Sequence, residues 1–205
     1  FIFEKGKAYG IIGENGAGKT TLFRCVAGLE NYSGEVKYYQ SKLKNHLGFL
    51  PTEPYMLSRI TGKEYLQFVC QSRGLNLINP EEKNIFDLPL NNFAETYSTG
   101  MRKKLALMGL LLQNNEVFIL DEPFNGVDIH SNLLITEIIL KLKSLSKIII
   151  ISSHIFSTLT DTCDSLHLLK NGYFYRNVQK EEFSSVEDEM RGEDILIKFD
   201  QLDLK

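Results

Sequence analysis

The stretch GENGAGKTT, residues 13–21, decides the fold. It places glycines before a lysine and two threonines, and it directly follows the apolar run AYGII (8–12). The pattern G-x-x-x-x-G-K-[ST] exposes backbone N–H groups that can surround a phosphate. A strand before the loop and a helix after it would add the positive end of the helix to the same site. We therefore predict a phosphate-binding loop made of Gly13, Glu14, Asn15, Gly16, Ala17, Gly18, Lys19, Thr20 and Thr21.

The composition is that of a folded chain with a sizeable core. Hydrophobic residues make up 43% of the 205 residues, and the net charge is −3, which gives no global attraction to nucleic acid or anionic lipid. No apolar run approaches the length that spans a bilayer, so we expect a soluble protein. The cysteines are odd in number and far apart, which predicts reduced, largely buried thiols at Cys25, Cys70 and Cys163.

Three apolar runs predict buried parallel strands: AYGII (8–12), EVFIL (116–120) and SKIIII (146–151). Helical spacing of apolar residues lies between them, so the expected core is a mostly parallel sheet flanked by helices. The segment from about 53 to 100 predicts an inserted helical subdomain, because TGKE (61–64) is a capping box and NPEE (79–82) offers an asparagine cap. A second, antiparallel sheet is expected from FIF (1–3), GEVKYY (34–39) and LGFL (47–50).

Two carboxylates end the predicted strand in VFILDEP (117–123). In a parallel sheet this end lies beside the phosphate loop, and carboxylates are favourable there only if they serve a metal or a water molecule. We expect Asp121 to hold Mg²⁺ through water and Glu122 to polarise the attacking water. Thr20 would place its hydroxyl on Mg²⁺, and Lys19 would reach the β- and γ-phosphates. The alternative is a pair of acids that merely caps a strand.

The segment YSTGMRKKL (97–105), just upstream of the second strand, resembles the signature of ATP-binding cassette (ABC) transporter subunits, usually written L-S-G-G-Q. Tyr97, Thr99 and Met101 replace the leucine, the first glycine and the glutamine. Ser98 can cap a helix whose bare N-terminus at Gly100 could bind an anion. By itself the segment could also be an ordinary capped helix with a basic first turn.

Further motifs of that family follow in order. FNGVDIHS (124–131) resembles the D-loop with Asp128, and IISSH (150–154) resembles the switch segment with His154. CDSLHLLKNGYFY (163–175) resembles the strand pair that follows. The resemblance covers residues 1–180 and implies the P-loop NTPase fold of ABC ATPases, with antiparallel β and inserted α-helical subdomains. The tail, 181–205, is not covered, and DILIKF (194–199) in it is a possible last strand.

The resemblance implies an ATP site shared between two chains. Lys19, Glu122 and His154 would be catalytic, while Ser98, Thr99, Gly100, Met101 and Asp128 would contact the nucleotide held by the other chain. Thr52 stands where the family usually has a glutamine that touches Mg²⁺, so the implied metal residues are Thr20, Asp121 and Thr52. The family's adenine-stacking aromatic lies well upstream of the phosphate loop, and we expect it in residues that precede Phe1.

The implied activity is ATP hydrolysis that powers transport through ATP-driven dimerisation, with ATP and Mg²⁺ bound. The family's export branch is similar in sequence to residues 55–75, YMLSRITGKEYLQFVCQSRGL. The implied partners are a membrane permease and a second ATPase subunit, at the cytoplasmic face of the membrane. Alternatives are a soluble ABC ATPase of repair, translation or iron–sulfur assembly, and a non-hydrolysing module that uses ATP as a dimerisation signal.

Overall fold

The computed structural model of the protein describes residues 1–39, 41–154 and 156–186. Five α-helices and six β-strands have both of their ends within these ranges. In chain order they are β1 (Ala8–Ile12), α1 (Lys19–Val26), β2 (Leu47–Leu50), α2 (Gly62–Gln71), α3 (Thr99–Leu112), β3 (Val117–Asp121), α4 (Ile129–Ser144), β4 (Ile148–Ser152), α5 (Phe156–Thr162), β5 (Ser165–Lys170) and β6 (Tyr173–Gln179).

One six-stranded sheet forms the centre, in the order β2-β3-β4-β1-β5-β6. Strands β1 to β5 all run parallel to one another, and β6 pairs antiparallel with β5. The prediction of a mostly parallel α/β sheet is confirmed. Parallel strands align their carboxyl ends at one edge, so the residues that follow β1, β2, β3 and β4 converge there.

Apolar side chains cover both faces of the sheet, as the unbroken apolar runs predicted. Ile119 of β3 belongs to one cluster with Phe23 of α1. The next residue, Leu120, points to the opposite face and shares the larger cluster with Leu105 of α3 and Ile135 of α4. The strands are therefore held between helices on both sides, and their ends have little freedom to move.

The predicted antiparallel sheet was wrong in its members. Strand β2, over 47–50, is parallel to β3, with Leu47 opposite Val117, because Leu47 and Leu50 are buried in the main core. Segments 1–3 and 34–39 contain no strand, and most of 34–39 is exposed. Its alternating sequence offers strand propensity but has no buried face to satisfy. The observed antiparallel pair is β5 with β6.

The region between residues 53 and 100 contains one longer helix, α2, packed against α3. Its capping box is present as predicted, with Thr61 and Glu64 satisfying each other's backbone N–H. Asn79 stands at the predicted cap position, with Pro80 first in the turn that follows, but this turn is a single 3-10 turn, Pro80–Lys83. The Asn79 side chain donates to the Glu82 carboxylate and forms no cap bond to the backbone. The predicted strand DILIKF (194–199) lies outside the described residues.

No helix in the described ranges combines the length and apolarity that a membrane crossing needs. Cys25, Cys70 and Cys163 are all free thiols. Burial raises the pKa of the Cys163 thiol to about 12. Cys70 and Cys163 are buried and Cys25 is half-buried, in agreement with the predicted reduced, largely buried thiols.

Candidate active site

A cavity of about 520 Å³ opens at the carboxyl edge of the sheet. It lies where the predicted phosphate loop and the ends of β2, β3 and β4 meet. Its lining residues are Asn15, Gly16, Gly18, Lys19, Thr20, Thr21, Thr52, Asp121, Glu122, Asn125 and His154. The fold thus brings together most of the residues that the sequence singled out for the phosphate, the metal and catalysis.

The loop between β1 and α1 has the geometry that the glycine pattern predicts. Gly18 precedes α1 with a φ of 106°, in the left-handed region that glycine adopts without strain. The Lys19 ammonium donates to the carbonyl oxygens of Gly13 at 2.6 Å and Glu14 at 3.2 Å. Gly13, Glu14 and Ala17 belong to the loop but do not line the cavity. The loop therefore presents a lysine and the N-terminus of a helix to an anion.

The Asp121 carboxylate is fully buried and accepts hydrogen bonds from three hydroxyl groups. Thr20 donates to Oδ2 at 2.6 Å, Thr52 donates to the same oxygen at 2.9 Å, and Ser152 donates to Oδ1. Ser152 lies directly opposite Asp121 in the pairing of β3 with β4. Sequence reasoning missed Ser152, although its place at the end of an apolar strand was a usable signal.

The residues around Asp121 fit a magnesium ion. One carboxylate and the hydroxyls of Thr20 and Thr52 supply hard oxygen atoms, and Mg²⁺ takes few protein ligands beside water and phosphate oxygens. In the part of the chain that the structure describes, no group of three or more His, Cys, Asp or Glu residues could hold a metal.

Glu122 and His154 form a pair at the mouth of the cavity. His154 Nδ1 lies 2.7 Å from Glu122 Oε2, and the His154 backbone N–H donates to the same oxygen at 3.3 Å. The Glu122 side chain is 11% exposed and the His154 side chain 53%. Glu122 also has a φ of 53°, which is a strained conformation for a non-glycine residue. Strain of this kind in the wall of a cavity favours a functional role for the residue.

The signature segment does not reach this cavity. Ser98 caps α3 by accepting from the Met101 N–H at 3.2 Å, as predicted. Gly100 packs against the carbonyl of Gly126, so closely that a Cβ would overlap it. Ser98, Thr99, Gly100 and Met101 are all absent from the lining residues.

Asp128 also lies outside the cavity and caps α4. Its Oδ1 accepts from the Ser131 N–H at 2.9 Å, and its Oδ2 accepts from the Ser131 hydroxyl and from Lys104. The Ser131 hydroxyl and backbone N–H, with the Lys104 ammonium, hold the pKa of the Asp128 carboxyl well below its usual range. Asp128 is therefore ionised at the start of α4, next to the signature helix.

Sequence reasoning also missed Asn125 and Lys103. Asn125 lines the cavity, and the sequence carried it only as part of the D-loop resemblance. Lys103 was taken as part of a basic first turn, but it is 1% exposed. Its apolar neighbours in RKKLALM do not distinguish it from Arg102 and Lys104, so only its position on the inner side of α3 could have revealed it.

Comparison with known proteins gives consistent results. The family described as "ABC transporter" matches residues 1–125. The ABC transporter ATP-binding protein NatA of Bacillus subtilis (strain 168) is 33% identical over 204 residues, which cover 91% of this chain and 82% of NatA.

Solved structures match over most of the chain. The ATP-binding subunit of an ABC transporter superposes with a TM-score of 0.78 at 25% identity, covering 98% of this chain and 90% of that one. A dimeric ATP-binding cassette in a post-hydrolysis state, bound to ADP and Pi, superposes with a TM-score of 0.76 at 17% identity, covering 88% of each chain. The second likeness concerns the fold alone.

Proposed function

This chain belongs to the ABC transporter family, and from that premise we propose that its cavity is one half of an ATP site which a second cassette completes. The chain is an ATP-binding subunit and an ATPase of this family. The observation that carries the proposal is the cavity itself, in which a phosphate loop faces the buried Asp121 and the Glu122–His154 pair.

Each cavity residue then has a chemical task. Lys19 and the N-terminus of α1 neutralise charge on the phosphates, which is the main demand of phosphoryl transfer. Glu122 accepts a hydrogen bond from the attacking water and orients it towards the γ-phosphate, and His154 fixes the Glu122 carboxylate through the 2.7 Å contact.

Thr20, Asp121 and Thr52 would hold Mg²⁺ in this proposal. The ion would supply positive charge beside the phosphate oxygens when bound. In the structure Thr52 and Thr20 both donate to the same Asp121 oxygen, and Thr52 would keep this contact. It would thereby take over part of the contact with Mg²⁺ that the family usually makes through a glutamine amide at this position.

The second half of the site would come from the signature of another chain. Ser98 to Met101 begin α3 outside the cavity, so a single chain cannot place them on its own nucleotide. A bare helix N-terminus suits the γ-phosphate held by a partner. Two chains would thus enclose two nucleotides, and hydrolysis would open the pair.

The proposed assembly includes a membrane permease, with the chain at the cytoplasmic face. Large apolar side chains are exposed in and around the helical region, where water alone would not favour them. They include Tyr55 (79% exposed), Phe68 (55%) and Ile78 (76%). Export as the direction of transport rests on the sequence similarity of residues 55–75 to the export branch of the family. A soluble ABC ATPase without a permease is the alternative, and the transporter names of the matched relatives do not favour it.

The test is the replacement Glu122→Gln, which keeps the shape of the side chain and removes its charge. We expect ATP binding to persist and kcat to fall by about 100- to 10,000-fold, the usual contribution of a positioned base. Light scattering should report a monomer without nucleotide and a dimer with Mg-ATP. Glu137→Gln, the same change on the exposed face of α4, is the matched control and should turn over like the wild type. Undiminished ATPase activity in Glu122→Gln would contradict the assigned role.

A further inference from the structure

Lys103 is a fully buried lysine on α3, five residues after the cap Ser98. Its ammonium donates to two backbone carbonyl oxygens, those of Glu122 and Asn125, both at 2.8 Å. Among the described residues no carboxylate forms an ion pair with it. A methionine of the same length would fill the same space without the cost of burying a charge, so packing alone does not require an ammonium here.

The two carbonyls belong to a backbone that needs support. Glu122 has a φ of 53°, and a non-glycine residue keeps such a conformation only if its surroundings fix it. On the amino side, the Glu122 N–H donates to the Ser152 hydroxyl at 2.9 Å. On the carboxyl side, Lys103 holds the Glu122 carbonyl. Both ends of this residue are therefore fixed, one by β4 and the other by α3.

The Lys103 ammonium also interacts with acidic groups near it. Burial lowers the pKa of the Lys103 ammonium, while the carboxylates of Glu122, Asp121 and Glu53 oppose that shift. Of these three carboxylates, Glu122 and Asp121 line the cavity. Any change in its position changes both the backbone and the electrostatics under Glu122.

We propose that Lys103 is a positioning residue that holds Glu122 in its strained conformation and ties it to the signature helix. The proposal rests on the proposed function in one respect, that Glu122 orients the attacking water. Gly100 touches Gly126 one helical turn before Lys103, so α3 and the segment from Glu122 to Gly126 form one unit. When the signature of one chain contacts the partner's nucleotide, it would therefore also fix the position of Glu122 in its own cavity.

The experiment compares Lys103→Met with Lys143→Met in the purified chain. Lys143 also donates to a backbone carbonyl, that of Thr162, and to Asp164, at the opposite end of the sheet from the cavity. It is the matched control for loss of a partly buried lysine. We expect Lys103→Met to lower kcat for ATP hydrolysis by about 10- to 100-fold, the scale of a misplaced catalytic group, with KM within about twofold of the wild type. Lys143→Met should retain the wild-type kcat.

A second readout separates positioning from general damage. If hydrolysis slows while binding persists, Lys103→Met with Mg-ATP should be a dimer in light scattering, as we also expect of Glu122→Gln. Loss of ATP binding together with kcat would show a structural role only and would overturn the proposal, as would an unchanged kcat. Lys103→Gln retains N–H donors on a shorter arm and should recover part of the kcat lost in Lys103→Met.

Should Lys103→Met fail to fold, Lys103→Gln carries the test. A kcat below wild type at unchanged KM supports the proposal, and a wild-type kcat overturns it. The wild-type chain separates the two levels of inference. If it neither hydrolyses ATP nor dimerises with it, the proposed function fails. If it does both and Lys103→Met matches it, only the role of Lys103 fails.

Discussion

Replacing Gly100 by alanine should separate the signature helix from the loop that follows Glu122. A Cβ at residue 100 would lie well inside van der Waals contact with the backbone oxygen of Gly126. Backbone cannot rotate away as a side chain can, so the two segments must part by about 1 Å to restore ordinary contact. The same shift would stretch the 2.8 Å bonds of Lys103 to about 3.8 Å, where they cease to be hydrogen bonds.

The expected cost has two parts. Overpacking of this kind destabilises by about 1 to 3 kcal/mol, and alanine in place of a helical glycine returns up to about 1 kcal/mol. The net loss then spans about 0 to 3 kcal/mol, and its middle, about 1 to 2 kcal/mol, corresponds to a melting temperature about 2 to 8 °C lower for a chain of this size. Because Glu122 loses its support, kcat should also fall, by about 10- to 100-fold.

The assay is thermal unfolding without nucleotide, followed by ATP turnover. Unfolding without nucleotide reports packing and not any contact of the signature with ATP. Gly109→Ala on the same helix is the control, because its Cβ would also meet a neighbour too closely, but that neighbour is a side-chain methyl of Val69, at 2.9 Å, and not backbone. We expect Gly109→Ala to cost less stability than Gly100→Ala and to leave turnover intact, since α2 and not the segment after Glu122 must adjust. If Gly100→Ala and Gly109→Ala behaved alike, the reasoning about Gly126 would be refuted.

Two further outcomes follow from single hydrogen bonds. Thr52→Val removes one of the three hydroxyls on the buried Asp121, so the free energy of unfolding in urea should fall by about 1 to 2 kcal/mol; an unchanged value would mean that the bond is absent in solution. Asp128→Asn tests the cap of α4. The Ser131 hydroxyl chiefly lowers the pKa of Asp128 in the folded state, so the ionised carboxylate stabilises the fold at pH values above the unfolded pKa of about 3.9. This stabilisation is lost as the pH falls through the lower pKa of the folded state. The gap in melting temperature between wild type and Asp128→Asn should therefore be widest near neutral pH and narrow below about pH 4, whereas a gap independent of pH would contradict the assignment.

The wrong predictions of strands have one cause. The alternating segment 34–39 and the apolar LGFL (47–50) both have strand propensity, and only the second one has a buried neighbour, β3. Likewise, Asn79 takes the cap position that its sequence predicts, but its side chain donates to the Glu82 carboxylate and not to the backbone. Local propensity indicates what a segment can form, and the tertiary partner decides whether it does.

The sequence by itself determined the chemistry at the strand ends. A glycine loop between a strand and a helix, paired acids after an apolar run and a histidine after another are written in contiguous residues, and parallel strands bring such ends to one edge. The phosphate loop, Asp121 and Glu122 could therefore be predicted from the order of residues, whereas His154 was predicted from the resemblance to ABC ATPases.

Only the tertiary structure decided what holds these groups in place. Ser152 and Lys103 act on Glu122 from 30 and 19 residues away in the chain, through one hydroxyl and one ammonium. In the sequence Lys103 is one of three consecutive basic residues, and which of them turns inward depends on how α3 packs against the segment after β3. The energy of such a contact depends on burial and on the distance between groups remote in sequence, and neither quantity is written in a local pattern.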